Sequence, residues 1–497
     1  MNRTRHWLRK HLTRQLRPHF GSKRALAAAA ATVLSLAACS TPVAKPSVSI
    51  PNQYSAAAPS DSVPETAWWE HYGDPVLSDL ILRAERENRD VKIAAERVRV
   101  ARAEASISRS WLLPSIDAVG GAVDQRTTYG APIQQKVPDI KAAGGGADVS
   151  WEIDLSGRLR AGAAAAAADT LAAQDGMRGV RLLVLTDVAN NYFMLVGALN
   201  QLETVRAIAA AHDETLRLVT TRQRVGLATA FDVERAQAAA LSSHAAIPPL
   251  ETLAAVSRHR IAVLVGDQAV NAASITPWNG ALVVPDAQPG QPAALLERRP
   301  DLLAAKAQLD AANARRRQAK AEYFPKLFMS AVFGRGTSDL AGQAIGPARF
   351  TNAAALLAMP IFNAGRTHAL NDIAGSGQNQ AVLHYEDAIV RALEDVENAL
   401  TTLRDERDRA QSLQSAAQSA DSAFGRAQSL YSRGQIDLLP LLDAQRTRLS
   451  VRVSANDSNT QLLVDSVQLY KALGGGWQDF EPVSKPATPT AANSANP

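Results

Sequence analysis

The chain has 497 residues, 46% apolar and 20% charged, a composition that excludes a wholly disordered or collagen-like protein and suffices for a large core. Lys and Arg number 53 against 48 Asp and Glu, so the net charge is +5, which suggests a nucleic-acid or anionic-membrane partner until the charges are located. The single cysteine excludes an internal disulfide framework and a zinc site built from several thiolates.

The N-terminus is organised like a signal peptide. Residues 1–24 contain eight basic residues and no acidic residue, and a mainly apolar run follows at 25–38. That run is shorter than the roughly 20 residues of a transmembrane helix, so we expect residues 1–38 to be removed. The mature chain then has 45 basic and 48 acidic residues, a net charge of −3 that gives no support for binding nucleic acid.

The lone cysteine ends a short motif. Leu36-Ala37-Ala38-Cys39 resembles the lipobox of bacterial lipoproteins, in which the thiol is acylated, palmitate being one such chain, and the peptide is cut before the cysteine. The resemblance implies that Cys39 anchors the chain in membrane lipid, whereas a buried inert cysteine is the alternative. Ser40, where aspartate would favour the inner membrane, favours the outer membrane. Residues 39–64 are rich in Pro, Ser and Ala and predict a flexible tether.

The body of the chain contains two similar halves, residues 65–290 and 291–477. Offsets of 211 and then 208 residues align them, and self-similarity at a fixed offset indicates one structural unit used twice. The aligned segments include Asp90-Val91 with Asp301-Leu302, Pro114-Ser115-Ile116 with Pro325-Lys326-Leu327, Gly157-Arg158 with Gly365-Arg366, and Asp187-Val188-Ala189-Asn190 with Asp395-Val396-Glu397-Asn398.

Each half predicts a helix, two strands and then very long helices. Strands are expected near 115–123, 147–155, 326–334 and 355–362, with Gly144-Gly145-Gly146 in a flexible loop. Apolar residues then alternate at spacings of three and four, as in a coiled coil, at Leu185, Val188, Tyr192, Leu195, Leu199 and Leu202 and again at Ile389, Leu393, Val396, Leu400 and Leu403. Without proline from Arg366 to Arg433, that helix could approach about 100 Å.

Residues 148–155 alternate strictly between apolar and polar side chains. We predict that Val149, Trp151, Ile153 and Leu155 face lipid and that Asp148, Ser150, Glu152 and Asp154 face the lumen of a water-filled barrel. An ordinary half-buried strand of a soluble protein is the alternative. Four strands are too few for a membrane barrel, which needs about eight, so several chains must pool their strands if the barrel interpretation holds.

Four motifs resemble the outer-membrane efflux factors, the TolC/NodT-type exit ducts of resistance-nodulation-division pumps. They are Trp68–Pro75, Leu296–Asp301, Tyr323-Phe324-Pro325 and Leu469–Trp477. The resemblance implies a mixed α and β membrane protein, a homotrimer with four strands per chain in one transmembrane β-barrel, continued by a long periplasmic α-helical barrel. It also implies a periplasmic adaptor protein and an inner-membrane transporter as partners.

The resemblance further implies a closed constriction at the periplasmic tip. Leu439 matches a hydrophobic ring, Asp443 matches a ring of aspartates, and Tyr431 matches a tyrosine that helps to hold the tip closed. Pro440 replaces a second aspartate found in some members. A solvated acid in the first turn of a helix is the alternative for Asp443.

These features predict a passive outer-membrane exit duct for small toxic compounds or drugs, with no catalytic residue, cofactor or metal ligand. A type I secretion duct or a metal-efflux duct is the alternative within the same fold. An envelope coiled-coil scaffold or a periplasmic enzyme is the alternative outside it, although the scattered histidines form no recognisable metal or triad motif. Residues 478–497 predict a disordered tail.

Overall fold

The computed structural model of the chain describes residues 46–55, 66–126, 139–280, 282–286, 288–340 and 342–481. The predicted signal peptide, residues 1–38, and the predicted lipidation site, Cys39, lie outside these ranges and stay predictions. The described residues form long helices and one four-stranded sheet.

Helices and strands follow one another in the same order in both halves. The first half contains α1 (Pro75–Glu87), α2 (Arg89–Ser110), β1 (Ser115–Gln125), β2 (Ile140–Ile153), α3 (Arg158–Arg224), α4 (Ala230–Ala245) and α5 (Ile247–Leu264). The second half contains α6 (Leu295–Arg298), α7 (Pro300–Ala321), β3 (Lys326–Leu340), β4 (Gln343–Ala358), α8 (Arg366–Ser432) and α9 (Leu438–Ala472). The helices α3 and α8 each have 67 residues, about 100 Å at 1.5 Å per residue.

The long helices pack through the predicted apolar positions. Leu185, Val188 and Tyr192 of α3 are fully buried, and Ile389 and Val396 of α8 are buried in a second cluster. This confirms the predicted heptad positions. Part of α3 is long and apolar enough to cross a membrane, but 67% of that stretch is buried within the chain, as expected for a core helix.

The sheet joins the two halves of the chain. Its order is β1-β2-β3-β4 and all neighbours are antiparallel, so β2 of the first half pairs with β3 of the second. The strands are longer than expected: β2 begins at Ile140, and β4 covers Gln343–Ala358 instead of 355–362.

The predicted glycine loop is wrong, because Gly144, Gly145 and Gly146 lie within β2. A Cβ on Gly146 would lie 2.1 Å from the carbonyl oxygen of Phe333 on β3, closer than any side chain allows. The glycines therefore permit a close approach of two strands, a use that composition alone does not distinguish from flexibility.

The helices pack side by side in a row. Near the strands the order is α2, α3, α7 and α8; further away it is α4 and α5, then α3, α9 and α8. Helices α2, α4 and α5 therefore lie at one side of the row and α8 at the other, in the same way that β1 and β4 are the edges of the sheet.

Part of the predicted tether, residues 46–55, packs along α8. Tyr54 is buried among Leu295, Leu302 and Ile389, although its segment contains few large apolar residues. Two serines are held by glutamates on α8: Ser47 donates to Glu386 at 2.7 and 2.9 Å, and Ser55 to Glu397 at 2.7 and 2.8 Å. The tether prediction is therefore wrong for residues 46–55.

The predicted tail also begins too early. Phe480 stacks on Trp69 with 5.6 Å between the ring centroids, and the Glu481 carboxylate accepts hydrogen bonds from Arg178 at 3.1 and 3.2 Å. Residues 478–481 are thus part of the folded body, and 482–497 lie outside the described residues.

Candidate functional site

The register of the sheet separates an apolar face from a polar one. Residues directly opposite each other in an antiparallel pair point to the same face. The apolar face carries Ile116, Ala118, Ala147, Val149, Trp151, Ile153, Leu327, Met329, Ala331, Phe333, Ala353, Ala355 and Leu357. It includes three of the four residues predicted to face lipid, whereas Leu155 lies beyond the end of β2 and is exposed.

The opposite face carries acids and serines between apolar residues. Asp148 lies opposite Asp117, and Ser150 lies opposite both Ser115 and Ser330. The hydroxyls of Ser115 and Ser150 are 2.8 Å apart. Asp117 was not among the predicted lumen residues because β1 alternates poorly in sequence; its register places it on the same face as Asp148.

Arg158 and Glu152 form an ion pair at the junction between strands and helices. Arg158, at the start of α3, donates to both oxygens of Glu152 at 2.8 and 2.7 Å, and its guanidinium lies 3.5 Å from Glu322. Both side chains of the Glu152 pair are about one-fifth exposed. Glu152 is therefore a neutralised acid that ties β2 to α3.

Asp154 has a different role from the one predicted. It lies past the end of β2, and its carboxylate accepts hydrogen bonds from the backbone N–H groups of Leu159 and Arg160 at 3.2 and 2.9 Å. Burial alone would raise the pKa of Asp154, but these hydrogen bonds and the Arg160 guanidinium lower it. Asp154 caps the first turn of α3, and its assignment to a strand face is wrong.

The far ends of the long helices are two matching turns. Gly226 and Gly434 have φ of 78° and 73°, which only glycine adopts easily. Leu227 N donates to Arg222 O at 2.9 Å, and Gln435 N donates to Leu430 O at the same distance. The turns lead into α4 and α9, so the predicted constriction residues lie on either side of the turn between α8 and α9.

Tyr431, Leu439 and Asp443 lie in two different environments at this end. Tyr431 is buried in a cluster with Val219 and Leu441. Leu439 is 54% exposed, and Asp443, one helical turn further along α9, is also exposed. The structure thus places Leu439 and Asp443 together on the free face of α9 and Tyr431 in the core behind it.

Two arginines that the sequence analysis did not identify make contacts at this end of the helices. Arg446 donates to Asp443 at 2.6 Å, three residues along α9, so that acid has a basic partner within the chain. Arg222 donates to the Tyr431 carbonyl at 2.7 Å, and its guanidinium lies 4.2 Å from the centroid of the Tyr431 ring. Arg222 thereby fastens the turn of α3 to the turn of α8. The i, i+3 spacing of Asp443 and Arg446 is visible in sequence; the Arg222 contact is not.

A further polar contact joins α9 to α3. Gln445 of α9 is buried and donates to the Thr215 hydroxyl of α3 at 2.8 Å. Among the described residues, no group of three or more His, Cys, Asp or Glu side chains is placed to hold a metal ion. The chemistry of this end is therefore a hydrophobic side chain, an ion pair and a set of interhelical hydrogen bonds.

Comparison with known proteins gives a consistent family. The family model described as outer membrane efflux protein matches residues 80–267 and 292–475. The chain is 34% identical to the pyoverdine export outer membrane protein OpmQ of Pseudomonas aeruginosa, covering 90% of this chain and 95% of OpmQ. It is 26% identical to the cation efflux system protein CusC of Escherichia coli K12, covering 87% and 94%.

The fold agrees with a solved channel. The structure of the outer-membrane channel OprN superposes with a TM-score of 0.82 at 27% identity, covering 88% of this chain and 99% of OprN. Since the family model covers most of the chain, this protein belongs to the outer membrane efflux protein family.

Proposed function

We propose that three copies of this outer-membrane protein close into a passive exit duct of a tripartite efflux pump. The observation that carries the proposal is that one chain is an open sector of a wall. The sheet ends in β1 and β4, and the helical row ends in α2, α4 and α5 on one side and in α8 on the other.

Open strand edges cannot remain unpaired in lipid, because no water is available there to satisfy backbone N–H and C=O groups. Four strands per chain and three chains give twelve strands, above the roughly eight that a membrane barrel requires. The same closure would join α8 of one copy to α2, α4 and α5 of the next, which continues the barrel as a helical tunnel about 100 Å long.

Duplication of one unit explains why a single chain supplies two similar parts of the wall. The family model matches the chain twice, and the two matched segments have nearly equal length. The turns at Gly226 and Gly434 have the same hydrogen bonds. We infer that residues 65–290 and 291–477 are two copies of one ancestral repeat.

The two faces of the sheet fit the two environments of a membrane barrel. Val149, Trp151 and Ile153 would face lipid, and Asp148, Ser150 and Glu152 would face the lumen. Asp117 beside Asp148 in each copy would place six carboxylates at one level of the pore, a ring that favours cations.

The free face of α9 would form the constriction. Three copies of Leu439 form an apolar ring and three Asp443–Arg446 pairs form a ring of alternating charge. Arg222, fastened to Tyr431, would hold the two hairpins of each copy together while the tip is closed.

The packed segment 46–55 supports a lipid anchor at Cys39. From Ser47 to Ser55 it follows α8 from Glu386 to Glu397, so its N-terminal end points toward the strands. Glu386 is about 30 Å from the start of α8, and the eight residue-to-residue steps from Cys39 to Ser47 span at most about 29 Å. A fully extended linker would bring Cys39 almost to the level of the start of α8, and its acyl chains would then enter the membrane that the strands cross.

The partners would be a periplasmic adaptor and an inner-membrane resistance-nodulation-division transporter, and the cargo small toxic compounds or drugs. OpmQ is named for pyoverdine export and CusC for cation efflux, so the family serves chemically different substrates. Co-purification of the adaptor and transporter tests this assignment of partners. Recovery of a type I secretion or metal-efflux transporter instead would favour the alternative kind of duct.

Electron microscopy of the detergent-solubilised protein tests the duct itself. We expect trimeric cylinders well over 100 Å long, and channels in planar bilayers that conduct weakly until Leu439 is replaced by alanine. Monomeric particles, or the absence of conductance with Leu439→Ala combined with Arg222→Gln, would refute the proposal.

A further inference from the structure

Two arginines oppose each other on the apolar face of the sheet. Arg335 of β3 and Arg349 of β4 are direct partners in the register, and Arg335 is also opposite Gly145 of β2. Since Val149 and Trp151 lie four and six residues from Gly145 on the same strand, both arginines point to the apolar face. Both side chains are exposed.

Like charges directly opposite each other destabilise an antiparallel pair. Neither Arg335 nor Arg349 has an ion pair or hydrogen bond from its side chain to another described residue. Gly145, their neighbour on β2, provides no side chain to separate or neutralise them. Among the described residues, the two arginines therefore have no acidic partner.

The charges further along the same face behave differently. Lys141 of β2 lies opposite both Asp124 and Asp339, and its ammonium is 4.0 Å from the Asp124 carboxylate. Arg126 also donates to Asp124, at 3.0 and 3.2 Å. Asp124 and Asp339 therefore neutralise the basic residues of that row, whereas the row of Arg335 and Arg349 has no acidic side chain in the described part of the sheet.

The arginines lie at the outer limit of the apolar face. Arg335 is nine residues from Lys326, the end of β3 nearest the helices, and Arg349 is nine residues from Ala358. Nine residues span about 30 Å along a strand, or about 23 Å of height at a tilt near 40°, close to the roughly 25 Å apolar band of membrane barrels. Phe333, 50% exposed, occupies the last apolar position before the arginines.

We propose that Arg335 and Arg349 form a binding site for a phosphorylated lipid headgroup of the outer leaflet. Guanidinium groups match phosphate oxygens in pairs, and two of them side by side at the edge of the hydrocarbon fit a glycolipid whose phosphates lie at that level. The acyl chains of the same lipid would then cover Phe333, Met329 and the apolar positions below. The site rests on the proposed barrel, because only then does this face contact lipid.

Binding of fluorescent diphosphoryl lipid A to the purified full-length protein tests the site. We expect Arg335→Gln with Arg349→Gln to weaken binding at least tenfold, and dephosphorylated lipid A to bind wild type as weakly as the double variant does. Arg126→Gln, at a row neutralised within the chain, should bind within twofold of wild type. The double variant should retain its trimeric cylinder and its conductance.

Three results would overturn the site. Equal binding of lipid A to wild type and the double variant would show that the arginines do not bind the lipid. Displacement of the lipid by millimolar inorganic phosphate would show that they bind a free anion instead. Loss of trimer stability with unchanged lipid binding assigns them to a contact between copies. Failure of wild type to form trimers would refute the proposed duct instead, which separates the two failures.

Discussion

Asn88 donates a 2.8 Å hydrogen bond from its side-chain amide to the carbonyl of Leu264, the last residue of α5. Arg299 makes the corresponding contact in the second half, donating to the carbonyl of Ala472, the last residue of α9, at 3.1 Å. The spacing between Asn88 and Arg299 is the 211-residue offset seen in sequence, and that between Leu264 and Ala472 is the 208-residue offset. In each half, the residue that precedes one helix, α2 or α7, fastens it to the C-terminal end of another, α5 or α9.

Replacing Asn88 by alanine should weaken the junction between α2 and α5. The Asn88 carboxamide also accepts hydrogen bonds from Asp90 N and Val91 N at the start of α2, and the residue is buried. Losing the cap and leaving the Leu264 carbonyl unpaired should destabilise the fold by about 2–3 kcal/mol. Asn88→Ser, which keeps the cap but cannot reach Leu264, should lose about 1 kcal/mol. Thermal unfolding of the detergent-solubilised protein measures both; an Asn88→Ser variant as stable as wild type would show that the Leu264 contact contributes nothing.

Truncation should separate the folded body from the tail. A chain that ends after Glu481 should be as heat-stable as the full-length chain. A chain that ends after Trp477 loses the Phe480 stack on Trp69 and leaves Arg178 and Arg181 without the Glu481 carboxylate.

The second truncation should cost about 3 kcal/mol, because an ion pair that is largely buried and an aromatic pair are both removed. Limited proteolysis and thermal dissociation of the two truncated proteins, measured side by side, check the difference. Identical behaviour would mean that residues 478–481 contribute only contacts and no stability.

His212 should make the packing of α3 on α4 sensitive to acid. Its Nδ1 lies 2.5 Å from the Ser243 hydroxyl, and its buried Nε2 has no hydrogen-bond partner in the described part of the chain. Burial lowers the pKa of His212 below its usual value near 6.5, and this outweighs the opposing effect of the Ala239 carbonyl and Asp213. Protonation of His212 therefore favours separation of α4 from α3.

The stability from neutral His212 is complete above about pH 6.5 and falls as the pH drops through the folded-state pKa, by up to about 1.4 kcal/mol per pH unit. Hydrogen exchange of peptides from α3 and α4, corrected for intrinsic rates, should show more opening at pH 5.5 than at pH 7.5. His212→Asn should remove this difference, whereas His244→Asn, at an exposed position on α4, should preserve it. A difference that survives in His212→Asn would refute the assignment.

The fold was predictable wherever local pattern and tertiary packing agree. The heptads of α3 and α8 and the proline-marked starts of β1 and β3 are of this kind, since Leu185 and Ile389 are buried as their spacing requires. Gly146 shows the opposite case: glycine is intrinsically poor in strands, and only the neighbouring Phe333 backbone, 187 residues away, gives it a reason to be there.

The candidate site shows the same division. Leu439 and Asp443 could be placed on one helical face from their spacing of four. Arg222 could not be assigned to Tyr431, because the contact crosses 209 residues and depends on how two hairpins pack. The packing of Tyr54 and Phe480 was not predicted for a related reason. Each is a single aromatic residue in a polar segment, and it packs against residues that are distant in sequence.

The exposed face of α9 should control ion selectivity at the proposed constriction. Asp443 is held by Arg446 at 2.6 Å, and both side chains are exposed. In a trimer, Arg446→Gln would leave three carboxylates without their partners near the pore axis, which should increase the preference for cations several-fold, an effect of about 1 kcal/mol between charges in a solvated pore. Asp443→Asn should shift selectivity toward anions by a similar factor, and Asp443→Asn with Arg446→Gln should return it close to wild type. Reversal potentials in planar bilayers under a salt gradient measure all three variants.

Glu214 and Arg217 on α3 form an exposed pair at the same spacing, so Arg217→Gln is the matched control and should leave the reversal potential unchanged. If Arg217→Gln changes selectivity as much as Arg446→Gln does, the selectivity arises along the whole tunnel and not at the tip of α9.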